Sequence, residues 1–243
     1  MTDCRLVREA PADGGWNMSV DQTLLEQAAI GKTTLRFYQW SKPTLSLGYF
    51  QPFQQRVEHQ ESQTCPWLRR ASGGGAILHD LELTYSFATP QAGRPAEQQQ
   101  QLYDGFHNSL IQALATFDIT ATRCSTPIPT GTSPFLCFQR QTVGDVLLND
   151  HKVMGSAQRK YQQAILQHGS ILLQQSQFAP QLPGINELAK SVQAEELIEQ
   201  WQEMLAERLG LQLQSQRLSK SEHQRSLEIG QSKFGTQRWN QKR

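Results

Sequence analysis

The sequence predicts an α+β fold built around a mixed sheet. Strand-like segments arrive in antiparallel-looking runs with helices between them, not in strict strand–helix–strand alternation. The helical patterns among them are long and amphipathic, and Gly- and Pro-rich breaks punctuate the strands. No internal repeat is present.

The first helix is predicted in "WNMSVDQTLLEQAA", with Asn17 or Ser19 as cap and Met18, Leu24, Leu25 and Ala28 as its apolar face. "TTLRFYQW" and "TLSLGYF" read as strands, separated by "SKP", because Pro43 cannot donate to a continuous ladder. "CPWLRRAS" is a third strand candidate and "AILHD" follows the glycines. "LELTYSF" alternates cleanly: Leu81, Leu83, Tyr85 and Phe87 face one way, Glu82, Thr84 and Ser86 the other. A long helix is predicted over roughly 97–117, with Tyr103, Phe106, Leu110, Ile111 and Leu114 at helical spacing. "STPIPTGTSPFLCFQ" must be loop for most of its length, and a loop that long is often functional. "GDVLL", "HKVMGSAQ" and "QQAILQHGSILL" form a second set of strands, with a hairpin turn at "NDH". The helix "AEELIEQWQEMLAERLG" puts Leu197, Ile198, Trp201, Met204, Leu205 and Leu209 on one stripe and ends at Gly210. Residues 1–210 are read as one catalytic domain, and residues 211–243 as a basic, solvated and partly disordered tail with no separate C-terminal domain.

The 243 residues carry a formal net charge of +1, which does not favour a nucleic-acid binder. No apolar run is long enough to cross a bilayer, and the N-terminus lacks a signal-peptide layout, so a cytoplasmic location is expected. Cys4, Cys65, Cys124 and Cys137 show no metal-ligand spacing, so no metal site is expected and each thiol should be free. One of them is then a possible nucleophile.

"RRASGGGAILHD" raises the sharpest question. Its glycines fit neither a dinucleotide fingerprint nor a phosphate loop, and Ser72–Gly75 alone reads as a turn or bulge. Flanked by Arg69, Arg70, His79 and Asp80, the same run offers a backbone on which a ligand can lie. Cys137 alone reads as a small apolar residue, and Lys152 as a solvated lysine. If the hairpin brings them together, the ammonium favours a thiolate. His79, His151 and His168 are alternative bases that spacing does not separate.

Taken in order, "WNMSVDQTLL", "LSLGYFQ", "RRASGGGAILHDLELTYSF", "CFQ", "HKVMGSAQRK" and "AILQHGSILL" resemble the motifs of the biotin/lipoate A/B protein ligase family, from about residue 16 to 173, with a weaker echo in "RWNQKR". Within it, "HDLELTYS" and the "CF" ahead of "KVMGSAQ" are similar to the cysteine-dependent octanoyltransferases. The resemblance implies the family's α+β catalytic domain, a mixed, largely antiparallel sheet flanked by helices. It implies Cys137 as acyl-accepting nucleophile and Lys152 as pocket lysine. Arg70, Ser72, Gly73, Gly74, Gly75, His79, Gly155, Ser156 and Ala157 would line the acyl site, with His79 near its mouth. "ASGGGAI" is closer to the ligase spelling, and "QRQTVGDVLL" lacks the Asp- and Trp-containing stretch of the octanoyltransferases.

The activity so implied moves an octanoyl or lipoyl group from acyl carrier protein to a lysine of a lipoyl-domain protein, such as glycine cleavage H protein or a dehydrogenase E2 subunit. No cofactor is needed, because a thioester is already activated. An ATP- and Mg-dependent lipoate ligase would instead use Lys152 on an acyl-adenylate and leave Cys137 dispensable. An amidotransferase between lipoyl-domain proteins would use the same cysteine, and a non-catalytic binder of acyl groups or carrier proteins would be expected to lack both Cys137 and Lys152. Neither nucleic acid nor membrane is an expected partner, and a monomer is expected. Both protein partners should be acidic, with Arg69, Arg70 and the basic tail available to dock them.

Overall fold

The structure is a computed structural model that describes residues 1–127 and 134–243. The middle of the expected "STPIPTGTSPFLCFQ" loop, residues 128–133, lies outside the described residues. The chain runs through β1 (Thr2–Arg8), α1 (Gly14–Ala28), β2 (Thr34–Tyr38), β3 (Thr44–Leu47), β4 (Trp67–Arg69), β5 (Ile77–His79) and β6 (Glu82–Pro90). It continues with α2 (Pro95–Ala115), β7 (Thr122–Arg123), β8 (Val146–Leu148), β9 (His151–Tyr161) and β10 (Ala164–Leu172). The last elements are α3 (Ile185–Leu188), α4 (Ala194–Leu209), β11 (Leu211–Ser215), α5 (Lys220–Ile229) and α6 (Gln237–Asn240).

The main sheet has eight strands in the order β11-β1-β2-β6-β10-β9-β8-β7. β1 runs parallel to both β11 and β2, and every other neighbouring pair is antiparallel. A second sheet, β4-β3-β5, carries the glycine run between its outer strands. The predicted mixed, largely antiparallel sheet flanked by helices is therefore present. The expected turn at "NDH" is a two-residue hairpin: Asn149 and Asp150 both have positive φ, 48° and 62°, as a primed turn requires.

On one face of the main sheet, Leu35, Phe37, Leu83, Tyr85 and Phe87 pack with Phe106 and Leu110 of α2 and Leu197 and Trp201 of α4. On the other, Val20, Leu24, Leu25 and Ala28 of α1 pack on Ala88, Ala164 and Leu166. Gly210 closes α4 in the left-handed conformation, at φ 62°.

Three expectations are corrected. Asp13, not Asn17 or Ser19, caps α1 by accepting from the Trp16 N–H at 3.0 Å. Asn17 is buried inside the helix, where its side-chain oxygen accepts from Arg36 at 2.9 Å. In β6 the Glu82, Thr84 and Ser86 face is as buried as the apolar one, while Leu81 lies outside the strand and is exposed. The supposed tail is folded: β11 extends the main sheet, and Glu222 of α5 pairs with Arg5 of β1. α6 locks onto β4, with Trp239 Nε1 donating to the Arg69 carbonyl at 2.8 Å and Asn240 Oδ1 accepting from the Arg69 N–H at 2.9 Å. The physical reason is that Ile229, Phe234 and Trp239 pack with Met18, Tyr38 and Leu68, and Lys233 and Lys242 lie over the Trp239 ring.

One buried histidine ties α2 to the strands that carry the site. His107 Nδ1 lies 2.7 Å from the Gly144 carbonyl and must donate to it, so neutral Nε2 accepts from Ser156 Oγ, also at 2.7 Å. Burial pushes His107 down from 6.5 to about 4, with the nearby Arg123 and Lys152 charges adding to that shift. Between those pH values the unfolded chain binds a proton that the folded chain refuses, so stability is full above about pH 6.5 and falls as pH drops toward 4. The expected loss is about 3 kcal/mol. Urea unfolding between about pH 7 and pH 4 should show this extra acid sensitivity in wild type and not in His107→Gln; equal slopes would contradict it.

Candidate active site

The glycine run takes its shape from close approach. Gly74 has φ +95°, and its carbonyl crowds Gly48 so closely that a side-chain carbon there would stand 1.9 Å from it. Arg70 Nη2 donates to the carbonyls of Gly73 and Gly75, each at 2.7 Å, and Nη1 to the Ser46 carbonyl at 3.1 Å. Arg69 Nη1 donates to the carbonyls of Gly48 and Gln51, both at 2.7 Å. Both arginines are buried. The expectation that they meet an acidic partner is therefore corrected, because their guanidinium groups are turned inward onto backbone carbonyls.

This loop holds the cysteine. The Ala76 N–H donates to the Phe135 carbonyl at 3.0 Å, and the Cys137 N–H donates to the Ala76 carbonyl at 2.7 Å. Cys137 opens a single 3₁₀ turn, Cys137–Gln139, and is partly exposed, whereas Cys4, Cys65 and Cys124 are buried. Burial pushes the Cys4 thiol up to about 12 and raises that of Cys65. Exposure and placement single out Cys137 as the one thiol positioned for chemistry.

Lys152 reaches it across the hairpin. Its Nζ lies 3.9 Å from Cys137 Sγ and 2.8 Å from Asp145 Oδ2, with both charged side chains almost wholly buried. Asp145 also accepts from the Thr142 N–H at 2.7 Å, Thr142 Oγ1 at 2.9 Å and Tyr103 OH at 3.2 Å. Register decides the direction of Lys152: Leu147 faces Lys152 but Val146 faces Met154, so Val153 is an inserted residue that re-aims the strand. Gly155 leaves the room, because a side-chain carbon there would lie 2.6 Å from Lys152 Cε and 2.9 Å from Nζ.

A cavity of about 170 Å³ opens on this pair, against roughly 10–15 Å³ needed to hold one water. Of the expected site residues, Cys137, Lys152, Arg70, Gly73, Gly74, His79, Gly155, Ser156 and Ala157 line it. Gly75 stands behind it, against the Cys137 backbone, and Ser72 reaches it only through His168, to which its hydroxyl is hydrogen-bonded. His79 is not near the mouth: it is buried, stacked on Trp40 at 3.8 Å, with Nδ1 donating to Glu82 at 2.6 Å and Nε2 bonded to Ser46 Oγ at 2.7 Å. His168 lines the cavity, while His151 is exposed at the start of β9.

Sequence reasoning missed Asp145. An acid at the entry to a strand reads as turn chemistry, and its only signal is the apolar "VLL" that follows. The buried network behind His168 was also hidden. Its Nδ1 lies 3.4 Å from Asp21 Oδ2, and Asp21 further accepts from Arg36 at 2.9 Å, Tyr38 at 3.0 Å and Ser86 at 2.7 Å. Burial opposes the Asp21 charge, but the hydrogen bonds from His168 and Ser86 and the Arg36 charge outweigh it and hold the carboxyl below its usual range.

The site therefore sets a partly exposed thiol beside a buried ammonium in one cavity, over a loop stripped of side chains. The chain belongs to the lipoyl protein ligase A/B catalytic domain family, whose model matches residues 13–230. It is 34% identical to the octanoyltransferase LipM of Oceanobacillus iheyensis over 172 residues, covering 69% of this chain and 63% of that one. With LipM of Halalkalibacterium halodurans it shares 28% identity across 99% of each chain. The fold is shared with lipoate-protein ligase A bound with ATP, at a TM-score of 0.80 and 18% identity over 99% of both chains. A bi-partite lipoate protein ligase from Thermoplasma acidophilum gives 0.78 and 17%, covering 99% of this chain and 97% of that one. Within the family, the chain is an acyltransferase of the octanoyltransferase type.

Gly155→Ala tests the lysine's placement. The new methyl group must push Lys152 aside, and displacing a reacting group by about 1 Å costs on the order of 10²-fold in rate. Octanoyl transfer should fall by about that factor while the thermal midpoint shows the protein still folded; unchanged activity would contradict the placement.

Proposed function

We propose that the protein moves an octanoyl group from an acyl-carrier-protein thioester to a lysine of a lipoyl-domain protein, through a thioester on Cys137. The observation that carries this reading is the approach of Lys152 Nζ to within 3.9 Å of the partly exposed Cys137 sulfur, inside the cavity.

In the first step the Cys137 thiolate attacks the donor carbonyl. A bond forms from Sγ to the acyl carbon, and the carbon–sulfur bond to the carrier breaks, so the carrier leaves as a thiolate that takes up a proton from solvent. In the second step the neutral amine of the acceptor lysine attacks the same carbon. The amide forms, Cys137 leaves as thiolate, and the amine's surplus proton passes to solvent. Lys152 has three N–H donors, and Asp145 takes one of them. The others face the sulfur and the place where carbonyl oxygen gathers charge in each step.

Met18, Tyr38, Ile77 and Phe138 supply apolar wall to the cavity, and each methylene removed from water there contributes about 0.8 kcal/mol to binding. The thioester brings its own activation, so the reading needs neither ATP nor a metal. The glycine cleavage H protein and dehydrogenase E2 lipoyl domains are the acceptors it implies, met by a monomer in the cytoplasm.

Incubation with octanoyl-acyl carrier protein, without ATP, tests this by intact mass. Wild type should gain one octanoyl group on Cys137; Cys137→Ser should gain none and lose at least about 10³-fold in transfer to a lipoyl domain, the scale of removing a nucleophile. Modification that requires ATP and free octanoate, and survives in Cys137→Ser, would make the protein a ligase instead.

A further inference from the structure

The cations of this chain are unevenly matched. Arg5, Arg36, Arg123, Lys190 and Arg225 each meet a carboxylate. Among the described residues most of the other cations meet none, and five of these are Arg140, Arg159, Lys233, Lys242 and Arg243.

Four of these five gather on aromatic rings. Lys242 Nζ lies 3.4 Å from the Tyr49 ring centre and 3.5 Å from that of Trp239. Lys233 Nζ lies 4.4 Å from Trp239, and the guanidinium groups of Arg159 and Arg243 lie 5.8 and 5.3 Å from Tyr49. Arg243 also lies 5.1 Å from the ring of Phe50, which is 68% exposed. Burial lowers the Lys233 ammonium to about 8, and the Arg159 and Lys242 charges press it the same way. Glu26 acts on Lys233 from nearby, but none of these cations forms a salt bridge among the described residues, and positive charges crowded together in this way form a surface complementary to an anionic partner.

This surface connects to the cavity. Phe50, Gly74, Gly75, Phe135 and Arg140 line a groove that shares Gly74 and Arg140 with the space in front of Cys137. Among the described residues Glu58 is the one carboxylate on its lining. The Arg140 Nε is shielded from solvent and has no hydrogen-bond partner among the described residues.

We propose that the basic aromatic face of Tyr49, Phe50, Trp239, Lys233, Lys242 and Arg243 is the docking site of the acyl donor: an acidic carrier protein that presents its thioester on a long, phosphate-anchored, amide-containing arm. The face receives the acidic surface and the phosphate at the root of the arm. The arm lies along the groove over Gly74 and Gly75, where Arg140 donates to one of its amide carbonyls, and delivers the thioester to Cys137. This inference rests on the octanoyl-transfer reading and names its donor site.

Single-turnover acylation of Cys137 tests it with two donors, octanoyl-acyl carrier protein and octanoyl-pantetheine, which has the arm but neither protein nor phosphate. The double variant Lys242→Glu/Arg243→Glu should slow acylation by the carrier protein at least tenfold and leave octanoyl-pantetheine within twofold of wild type. In wild type, raising salt should slow only the carrier-protein reaction. Arg140→Gln should slow both donors. Equal losses with both donors in the double variant, no loss with either, or a salt-insensitive carrier-protein reaction would overturn the docking site. Failure of wild type to be acylated by either donor would instead remove the transfer reading, and the docking site with it.

Discussion

The buried pair of Asp145 and Lys152 is the constraint around which the site is organised. Withdrawing two such charges from water costs several kcal/mol for each, and only good geometry with further hydrogen bonds offsets it. Both conditions hold. The carboxylate accepts from Lys152, from both donors of Thr142 and from Tyr103 of α2, so one side chain gathers the loop before β8, the hairpin and a helix from the far side of the sheet. The ammonium so held keeps donors free for the sulfur. A lysine placed here without Asp145 would be an uncompensated buried charge, and an Asp145 without Lys152 likewise.

The cysteine's half of the arrangement is set by backbone. Its chain is tied to Ala76 by a short bridge, and the Ala76 position follows from the glycine loop. That loop in turn is pinned by Arg70 through its carbonyls and by Gly48 through the absence of a side chain. The three glycines thus do more than admit a ligand. They let two strands of the small sheet, a buried guanidinium and the turn that opens at Cys137 occupy one crowded place. Arg69 extends the chain of support to the C-terminus through Trp239 and Asn240.

Much of this was legible in the sequence, for identifiable reasons. Alternation exposed β6, the helical stripe and Gly210 exposed α4, and the Asn149–Asp150 pair exposed the hairpin. The ordered motifs brought Cys137 and Lys152 forward together. What stayed hidden depends on distant partners. β11 is a short edge strand in which only Leu211 is buried, so its two-residue period carries little signal. The folding of the last residues follows from Phe234 and Trp239 meeting α1 and β4, and a run of scattered cations masks those anchors. Asp145 and His107 are polar residues whose partners lie across a hairpin and in another layer, and no local spacing announces such pairs. The resemblance places His79 near the mouth, yet Glu82, three residues on, draws its ring inward.

Transfer through Cys137 requires that its thioester lie on the route to product. The direct measurement isolates the octanoylated enzyme, removes the donor, and mixes it with a lipoyl domain in the absence of ATP. The octanoyl group should leave Cys137 and appear on the acceptor lysine at one and the same rate, no slower than the overall turnover. A thioester that persists on Cys137 while steady-state transfer proceeds would show it to be a side product, and would contradict the account.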